Sequence, residues 1–179
     1  KSKVFHGLGQ NFYVYDGKLN VFPHFSNTIF SITPDSTTQR YHFYFGDYHF
    51  PDDEIFQKKE YNSQAIMSEI MNNSYVRLMA PYETDEHLLV KYYVKRQVLL
   101  GIYNKKKHTA INLDPEMVID SLHLGTFPVP IGFNHNEFIG QLTLDIQQKN
   151  RIMIPELQKL MADYSEDSNP ILIFYSLRS

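Results

Sequence analysis

Residues 11–46 carry the strongest structural signal in the chain, and they read NFYVYDGKLNVFPHFSNTIFSITPDSTTQRYHFYFG. Short runs rich in β-branched and aromatic residues alternate there with turn residues, a pattern typical of β-strands. Asp16-Gly17 predicts a two-residue hairpin turn because glycine accepts positive φ, and Pro23 predicts an edge or bulge position. The stretch therefore predicts a meander of four antiparallel strands. These strands are Asn11–Tyr15, Leu19–Phe25, Thr28–Thr33 and Gln39–Gly46.

A second meander follows at residues 74–113. Its predicted strands are Ser74–Ala80, His87–Lys95, Gln97–Tyr103 and His108–Leu113. Residues 28–37 align with residues 98–107, an offset of 98 − 28 = 70, and in both an apolar strand enters a polar turn. The acidic turn Glu83–Glu86 joins the first two of these strands and is interpreted as a solvated charge run, and the basic turn Asn104–Lys107 joins the last two.

The rest of the chain predicts a degenerate third unit and two helical segments. The third unit, residues 121–178, has predicted strands near Ile131, at Asn136–Leu144 and at Ile171–Arg178, whereas Gly125–Gly132 is predicted to be a loop. A helical insertion is predicted near residues 52–71 and a short helix near 155–163. The expected fold class is all-β, with β-propeller-like antiparallel blades at about residues 11–46, 74–113 and 121–178. A β-sandwich of the same strands is the alternative.

About three blades form only a partial ring, because closed propellers take about four to eight. Three blades alone would leave apolar faces open, which is an association liability. We therefore expect residues 1–179 to be a single domain or a domain fragment. Either a missing N-terminal half or a homodimer would complete the ring. The chain begins Lys1-Ser2-Lys3 with no initiator Met and no export signal.

Composition excludes several classes of function. The charges, 17 Lys and Arg against 20 Asp and Glu, give a net charge of −3, which argues against a nucleic-acid partner. The absence of cysteine excludes disulfides, thiolate zinc sites and a cysteine nucleophile. No apolar run approaches the roughly 18 residues of a transmembrane segment.

Three motifs resemble a bacterial family of six-bladed β-propeller proteins. The first is Asn27–Ile32, similar to the family's N-D-T-I/V-Y-x-I strand, and the second is Tyr41–Tyr48 with Pro51-Asp52 behind it, similar to an aromatic strand followed by a Pro-led helix. The third is Asp167–Leu177, similar to the ending D-x-N-P-V-L-V-F-Y-x-L. The resemblance extends from Asn11 to the end and corresponds to the C-terminal half of a typical member.

This resemblance implies an exported, often lipid-anchored protein of the periplasm or cell surface. Members of the family are of uncharacterised function and share no known catalytic signature. The motifs that carry the resemblance are structural strands, so they imply a fold and a location and leave the ligand open.

Candidate site residues are few. His49, Asp52 and Asp53 offer imidazole and carboxylate metal ligands within one loop, although the two aspartates also suit a helix start, so we expect no metal. Tyr82, Phe127 and His135 are candidate ligand-binding residues in loops that would lie at the mouth of a ring. The more general interpretation of the abundant tyrosines is structural, since they suit half-buried strands. No cofactor is expected.

The predicted function is a non-catalytic binding or interaction module of the bacterial cell envelope, with a glycan or a protein as ligand. No nucleophile elbow, Walker loop or metalloprotease motif is present in the sequence. The alternative is a carbohydrate-active hydrolase or lyase whose site lies in the propeller channel. Fold alone does not distinguish the two.

Overall fold

The computed structural model describes residues 11–23, 26–51, 63–115, 127–142, 155–162 and 170–177. Within this part of the chain the fold is all-β. It consists of three antiparallel sheets with strand orders β1-β2-β3-β4, β5-β6-β7-β8 and β11-β10-β9. This confirms the predicted fold class, all-β with antiparallel, propeller-like meander sheets. Each sheet lies within one of the three predicted blade units, whereas their organisation as a single domain stays a prediction.

The first sheet begins with the predicted hairpin. Its strands are β1 (Phe12–Tyr15), β2 (Lys18–Val21), β3 (Thr28–Ile32) and β4 (Thr37–His42). Asp16 and Gly17 both have positive φ, 51° and 68°, as a tight hairpin turn with the twist of its strands requires. The prediction that the second strand extends to Phe25 is wrong, because β2 ends at Val21, before Pro23.

The aromatic strand predicted at Gln39–Gly46 is also wrong in its bounds. β4 begins at Thr37 and ends at His42, and its pairing with β3 shifts by one residue between Ile29 and Phe30. The aromatic residues that follow leave the sheet: Phe43 stacks on Phe45 with ring centroids 6.1 Å apart, and Tyr44 is exposed. A short 3₁₀ helix, Gly46–Tyr48, comes next.

The second sheet consists of four strands in sequential order. They are β5 (Arg77–Glu83), β6 (His87–Val94), β7 (Gln97–Asn104) and β8 (Thr109–Leu113). β5 lies three residues further along the chain than predicted and ends at Glu83, so this acidic residue belongs to a strand. In a meander, the β5–β6 and β7–β8 turns lie at the same end of the sheet.

The third sheet has three strands. They are β9 (Pro130–Phe133), β10 (Phe138–Leu142) and β11 (Ile171–Tyr175). β9 corrects the loop prediction for Gly125–Gly132, since Pro130 begins a strand. Gly140 is required by a close approach: a Cβ there would lie 2.9 Å from Cβ of Pro128.

Two α-helices lie among the described residues, α1 (Ser63–Asn72) and α2 (Pro155–Ala162). They confirm helical structure within the predicted segments near 52–71 and 155–163, although residues 52–62 lie outside the described part of the chain. Neither α1 nor α2 has the length and apolar character needed to cross a membrane.

The chain divides into two compact units. Unit 1 extends to Pro81 and includes Val90–Val98, and unit 2 comprises Tyr82–Leu89 and the chain from Leu99 onward. In unit 1 the buried apolar residues include Ile29, Phe50 and Tyr92. In unit 2 the core centres on Leu89, Leu100 and Phe138, which are at most 1% exposed.

Candidate polar binding site

A polar pocket of about 460 Å³ lies in unit 2 where several turns meet. Seven of its eight lining residues are polar, and the eight come from the β5–β6 turn, the first residue of β6, the β7–β8 turn, the β9–β10 turn and the segment after β11. The pocket is lined by Thr84, Asp85, Glu86, His87, Lys106, Asn136, Ser176 and Leu177. We call this set the polar pocket.

The β5–β6 turn that forms one side of the pocket is held by a local hydrogen-bonded ring. The Thr84 N–H donates to the His87 carbonyl at 2.8 Å, and the His87 N–H donates to Thr84 Oγ1 at 3.1 Å. Both residues are buried, at 3% and 4% exposure. Threonine hydroxyls stabilise turns in this way by replacing a backbone partner, so the turn keeps its shape without a ligand.

A buried ion pair also holds the β5–β6 turn in place. Lys105 Nζ lies 2.7 Å from Glu83 Oε1, and the Glu83 side chain is completely buried. The Lys105 ammonium also donates to the Thr84 carbonyl at 2.6 Å, and its backbone N–H donates to the Glu86 carbonyl at 2.8 Å. The interpretation of Glu83–Glu86 as a solvated charge run is therefore wrong for Glu83, which faces inward from the end of β5.

His87 is fixed in its neutral form by the adjoining strand. Asn104 Oδ1 accepts from the Lys107 N–H at 2.8 Å, so the Asn104 amide nitrogen must face the other way. That nitrogen lies 3.1 Å from His87 Nε2. An amide nitrogen can only donate, so Nε2 accepts and carries no proton.

Burial lowers the pKa of His87. The charges of Lys105 and Lys106 lower this pKa further, whereas Glu86 opposes them. The shift agrees with the geometry, because a protonated ring would lose the hydrogen bond from Asn104. His87 thus contributes a neutral wall to the pocket.

The remaining groups form a rim of donors and acceptors. The Asp85 N–H donates to the His135 carbonyl at 2.8 Å, which ties the β5–β6 turn to the β9–β10 turn. With its amide oriented to satisfy its neighbours, Asn136 donates to Asp85 Oδ2 at 3.2 Å. Glu86 pairs with Lys106 on the exposed side. The rim offers carboxylate, amide and ammonium groups to a polar ligand.

The three predicted ligand residues occupy two different environments. Tyr82 and Phe127 pack against the Leu89 and Phe138 cluster in unit 2, and burial raises the pKa of Tyr82. His135 is exposed in the β9–β10 turn, next to Asn136 of the pocket. The structure thus brings His135 to the edge of the polar pocket. A ligand contact for any of the three stays a prediction.

The predicted metal ligands are only partly within the described residues. Asp52 and Asp53 lie outside them. His49 Nε2 lies 3.0 Å from the Asn27 amide nitrogen, which can only donate, so the lone pair of that ring nitrogen is engaged. In the part of the chain that the structure describes, no three His, Asp or Glu side chains cluster as a metal site requires.

Sequence reasoning did not identify the pocket residues as a site, although one signal pointed to it. An acidic turn and a basic turn follow alternate strands of the same predicted meander. Turns that are two connections apart lie at the same end of such a sheet, so the acidic turn and the basic turn are expected to lie close together. Asn136 and Ser176 gave no comparable signal, because they come from a different sheet.

A solved structure shares the fold of this chain. The similar protein is described as "Putative exported protein" from Bacteroides fragilis NCTC 9343, and the two align with a TM-score of 0.77 at 19% sequence identity. The alignment covers 94% of this chain and 50% of the other, so the chain spans about half the length of that protein.

No curated protein matches the sequence. A family assignment is nevertheless available over nearly the whole chain. Residues 1–176 match DUF4934, described as a domain of unknown function. The chain therefore belongs to the DUF4934 family.

Proposed function

We propose that this chain is half of a six-bladed β-propeller belonging to an exported protein of the bacterial cell envelope. The described residues of this chain form three sheets, and the alignment covers half of the Bacteroides fragilis protein. A second half built in the same way would bring the count to six, as the sequence resemblance implies. The export described for that protein supports a location in the periplasm or at the cell surface.

Within this ring, the chain acts as a non-catalytic binding module whose ligand occupies the polar pocket. One observation carries this proposal: the groups at the rim of the pocket differ from the buried contacts that hold the turn behind them. The rim consists of polar groups, whereas the turn behind it is fixed by the buried Glu83–Lys105 pair and by the Asn104–His87 hydrogen bond. Such a prearranged site loses little conformational entropy when a ligand binds.

The chemistry of the rim favours a hydroxyl-rich ligand such as a glycan. Asp85 and Glu86 supply acceptors for sugar hydroxyl protons, and Asn136 and Lys106 supply donors for hydroxyl oxygens. Both signs of charge are present, so no strongly charged ligand is selected by electrostatics alone. Two contacts also support a binding role over a catalytic one. His87 Nε2 already accepts a hydrogen bond from Asn104, and Glu86 is already paired with Lys106.

Glycan binding is tested by isothermal titration calorimetry and by NMR chemical-shift mapping with a panel of neutral oligosaccharides. We expect Asp85→Ala and Asn136→Ala each to weaken binding about tenfold, which corresponds to the loss of ~1.4 kcal/mol. Asp35→Ala is the matched control, since Asp35 is an exposed acid in the β3–β4 turn of the other unit.

Two results would contradict the proposal. If the panel binds but all three variants bind equally well, the ligand does not occupy the polar pocket. If the protein releases new reducing ends from an oligosaccharide, and Asp85→Ala abolishes this release, the chain is a hydrolase and the non-catalytic assignment is wrong.

A further inference from the structure

The lining of the polar pocket divides into an inner part and an outer part. Thr84 and His87 are buried, and Leu177 is half-buried. We call these three residues the inner wall. The other lining residues are more exposed and form the rim: Asp85, Glu86, Lys106, Asn136 and Ser176. A ligand that enters the pocket therefore meets exposed polar groups first and the inner wall last.

The acceptor atoms of the inner wall are already engaged within the protein. Thr84 Oγ1 accepts from the His87 N–H at 3.1 Å and donates to the His87 carbonyl at 3.3 Å. His87 Nε2 accepts from the Asn104 amide nitrogen, 3.1 Å away. A ligand hydroxyl that faces the inner wall thus finds these acceptors occupied, although the Thr84 methyl group and the uncharged His87 ring remain able to pack against it.

Leu177 is the apolar residue among the eight described lining residues, and the core of unit 2 holds it in place. It packs on the buried cluster of Leu89, Leu100 and Phe138. Tyr175, two residues earlier, packs on the same cluster, so alternate residues at this end of β11 face the core. Leu177 therefore extends the core to the pocket and gives the inner wall a fixed apolar surface.

A polar rim around such an inner wall fits a ring that is polar at its edge and apolar on its face. A pyranose sugar has this form, since its equatorial hydroxyls point outward from the ring edge and its C–H bonds lie over the ring faces. An open-chain polyol carries similar hydroxyls but presents them on all sides. One of them would be buried against the inner wall without a free acceptor, which costs binding free energy.

We infer that the polar pocket selects a pyranose ring, whose apolar face lies on the inner wall and whose hydroxyls bind the rim, and that Leu177 determines this specificity. The inference rests on the proposed glycan-binding function, and it adds which unit of the ligand is recognised and which residue discriminates. The volume of the pocket, about 460 Å³, lies within the range of small-ligand sites, roughly 300–1,000 Å³. The pocket thus has room for the ring, and the rest of an oligosaccharide would extend past the exposed rim.

NMR titration of the chain, labelled at its amides and leucine methyl groups, tests the selection of a ring. The probes are the methyl pyranosides of glucose, galactose and mannose, each compared with its open-chain alditol. We expect at least one pyranoside to bind roughly tenfold more tightly than its alditol. The same pyranoside should shift the methyl resonances of Leu177 together with the side-chain amide of Asn136.

Substitution of Leu177 tests its role in the preference. Leu177→Ser should abolish the preference for the pyranoside, because it removes the apolar surface, whereas Leu177→Met should keep it. Leu172→Ser is the matched control: Leu172 is 51% exposed on β11, outside the polar pocket, and its variant should bind as the wild type does. Circular dichroism shows whether each variant is folded. If Leu177→Ser does not fold, the comparison of pyranoside with alditol on the wild-type chain decides the matter.

The pyranose selection and the proposed function would fail in different ways. Equal binding of a pyranoside and its alditol overturns the selection and leaves glycan binding intact. So does a saccharide that shifts Asn136 without shifting Leu177, and so does a folded Leu177→Ser variant that keeps the preference. If neither the methyl pyranosides nor the neutral oligosaccharides shift Asn136 or Leu177, the selection and the proposed function are both wrong.

Discussion

Two ion pairs lie at the same end of the second sheet, and they differ in what surrounds them. Glu83 and Lys105 meet at 2.7 Å with side chains 0% and 18% exposed. Glu86 and Lys106 are close in sequence to Glu83 and Lys105, and they form a pair whose side chains are 42% and 68% exposed. The residue types are identical, so the difference lies in the positions that the strand ends give them.

This difference separates the pair that supports the β5–β6 turn from the pair that lines the polar pocket. Glu83 is the last residue of β5 and points inward, where Lys105 both neutralises it and donates to the Thr84 carbonyl. Glu86 lies beyond the strand and stays in contact with water. A buried charge is costly to leave unpaired, whereas an exposed pair is screened and contributes little. The inner pair therefore fixes the turn, and we propose that the outer pair contacts the ligand of the polar pocket.

The largest effect is expected when the inner pair loses one partner. Lys105→Met leaves the Glu83 carboxylate buried and uncompensated, and it should lower the free energy of unfolding by about 3–5 kcal/mol. Urea denaturation followed by circular dichroism measures the loss. Lys107→Met is the matched control in the same turn, because Lys107 is exposed and its variant should unfold like the wild type.

Removing both partners should cost less than removing one. Glu83→Met combined with Lys105→Met replaces the pair by apolar side chains of similar length, an exchange that is often neutral in proteins. A double variant that is no more stable than Lys105→Met alone would show that the Glu83 charge is not the source of the penalty. The lost hydrogen bond to Thr84 would then account for it.

These contrasts also show what the sequence could and could not predict. The sequence predicted the two meanders, the degenerate third unit, the Asp16-Gly17 turn and the two helical segments, because each depends on local turn chemistry or on short-range periodicity. It placed β5 three residues too early, and this small error mattered. Ending the strand at Ala80 put Glu83 in a solvated turn, whereas the observed end turns its side chain into the interior.

Strand register is the other feature that the sequence did not determine. The repeat with an offset of 70 places Ile29 over Leu99, but the completely buried residue of β7 is Leu100. A slip of one residue exchanges the two faces of a strand, and an apolar run such as Val98–Leu100 gives no alternation to detect it. The polar pocket was missed for a related reason, since Asn136 and Ser176 reach it from another sheet.

An intermediate effect is expected from the pH dependence of His87. Burial holds the pKa of this residue below its ordinary value of 6.5, so protonation costs more in the folded chain than in the unfolded chain. The stabilisation that the neutral His87 gives the folded chain is fully present above pH 6.5. The free energy of unfolding should fall as the pH drops through this value towards the lowered pKa. Unfolding free energies measured from neutral to acidic pH should show a shallower slope for His87→Gln than for the wild type.

The exposed His135 provides the control for that slope. His135→Gln makes the same substitution at an exposed histidine, so the slope of His87→Gln is compared with that of His135→Gln over the same range. If the two slopes are equal, the acid sensitivity of the chain arises elsewhere than at His87. The Asn104–His87 hydrogen bond would then not be coupled to folding.

The smallest effect on stability is expected at the outer pair. Lys106→Met removes an exposed ion pair, so it should change the free energy of unfolding by less than about 1 kcal/mol, and added salt should reduce even this difference. The same variant should nevertheless weaken oligosaccharide binding, since it removes a donor from the rim of the polar pocket. Lys106→Met and Lys105→Met thus make opposite predictions for the two measurements. A Lys106→Met chain that is strongly destabilised, or that binds oligosaccharide as the wild type does, would remove the distinction between a supporting pair and a recognising pair.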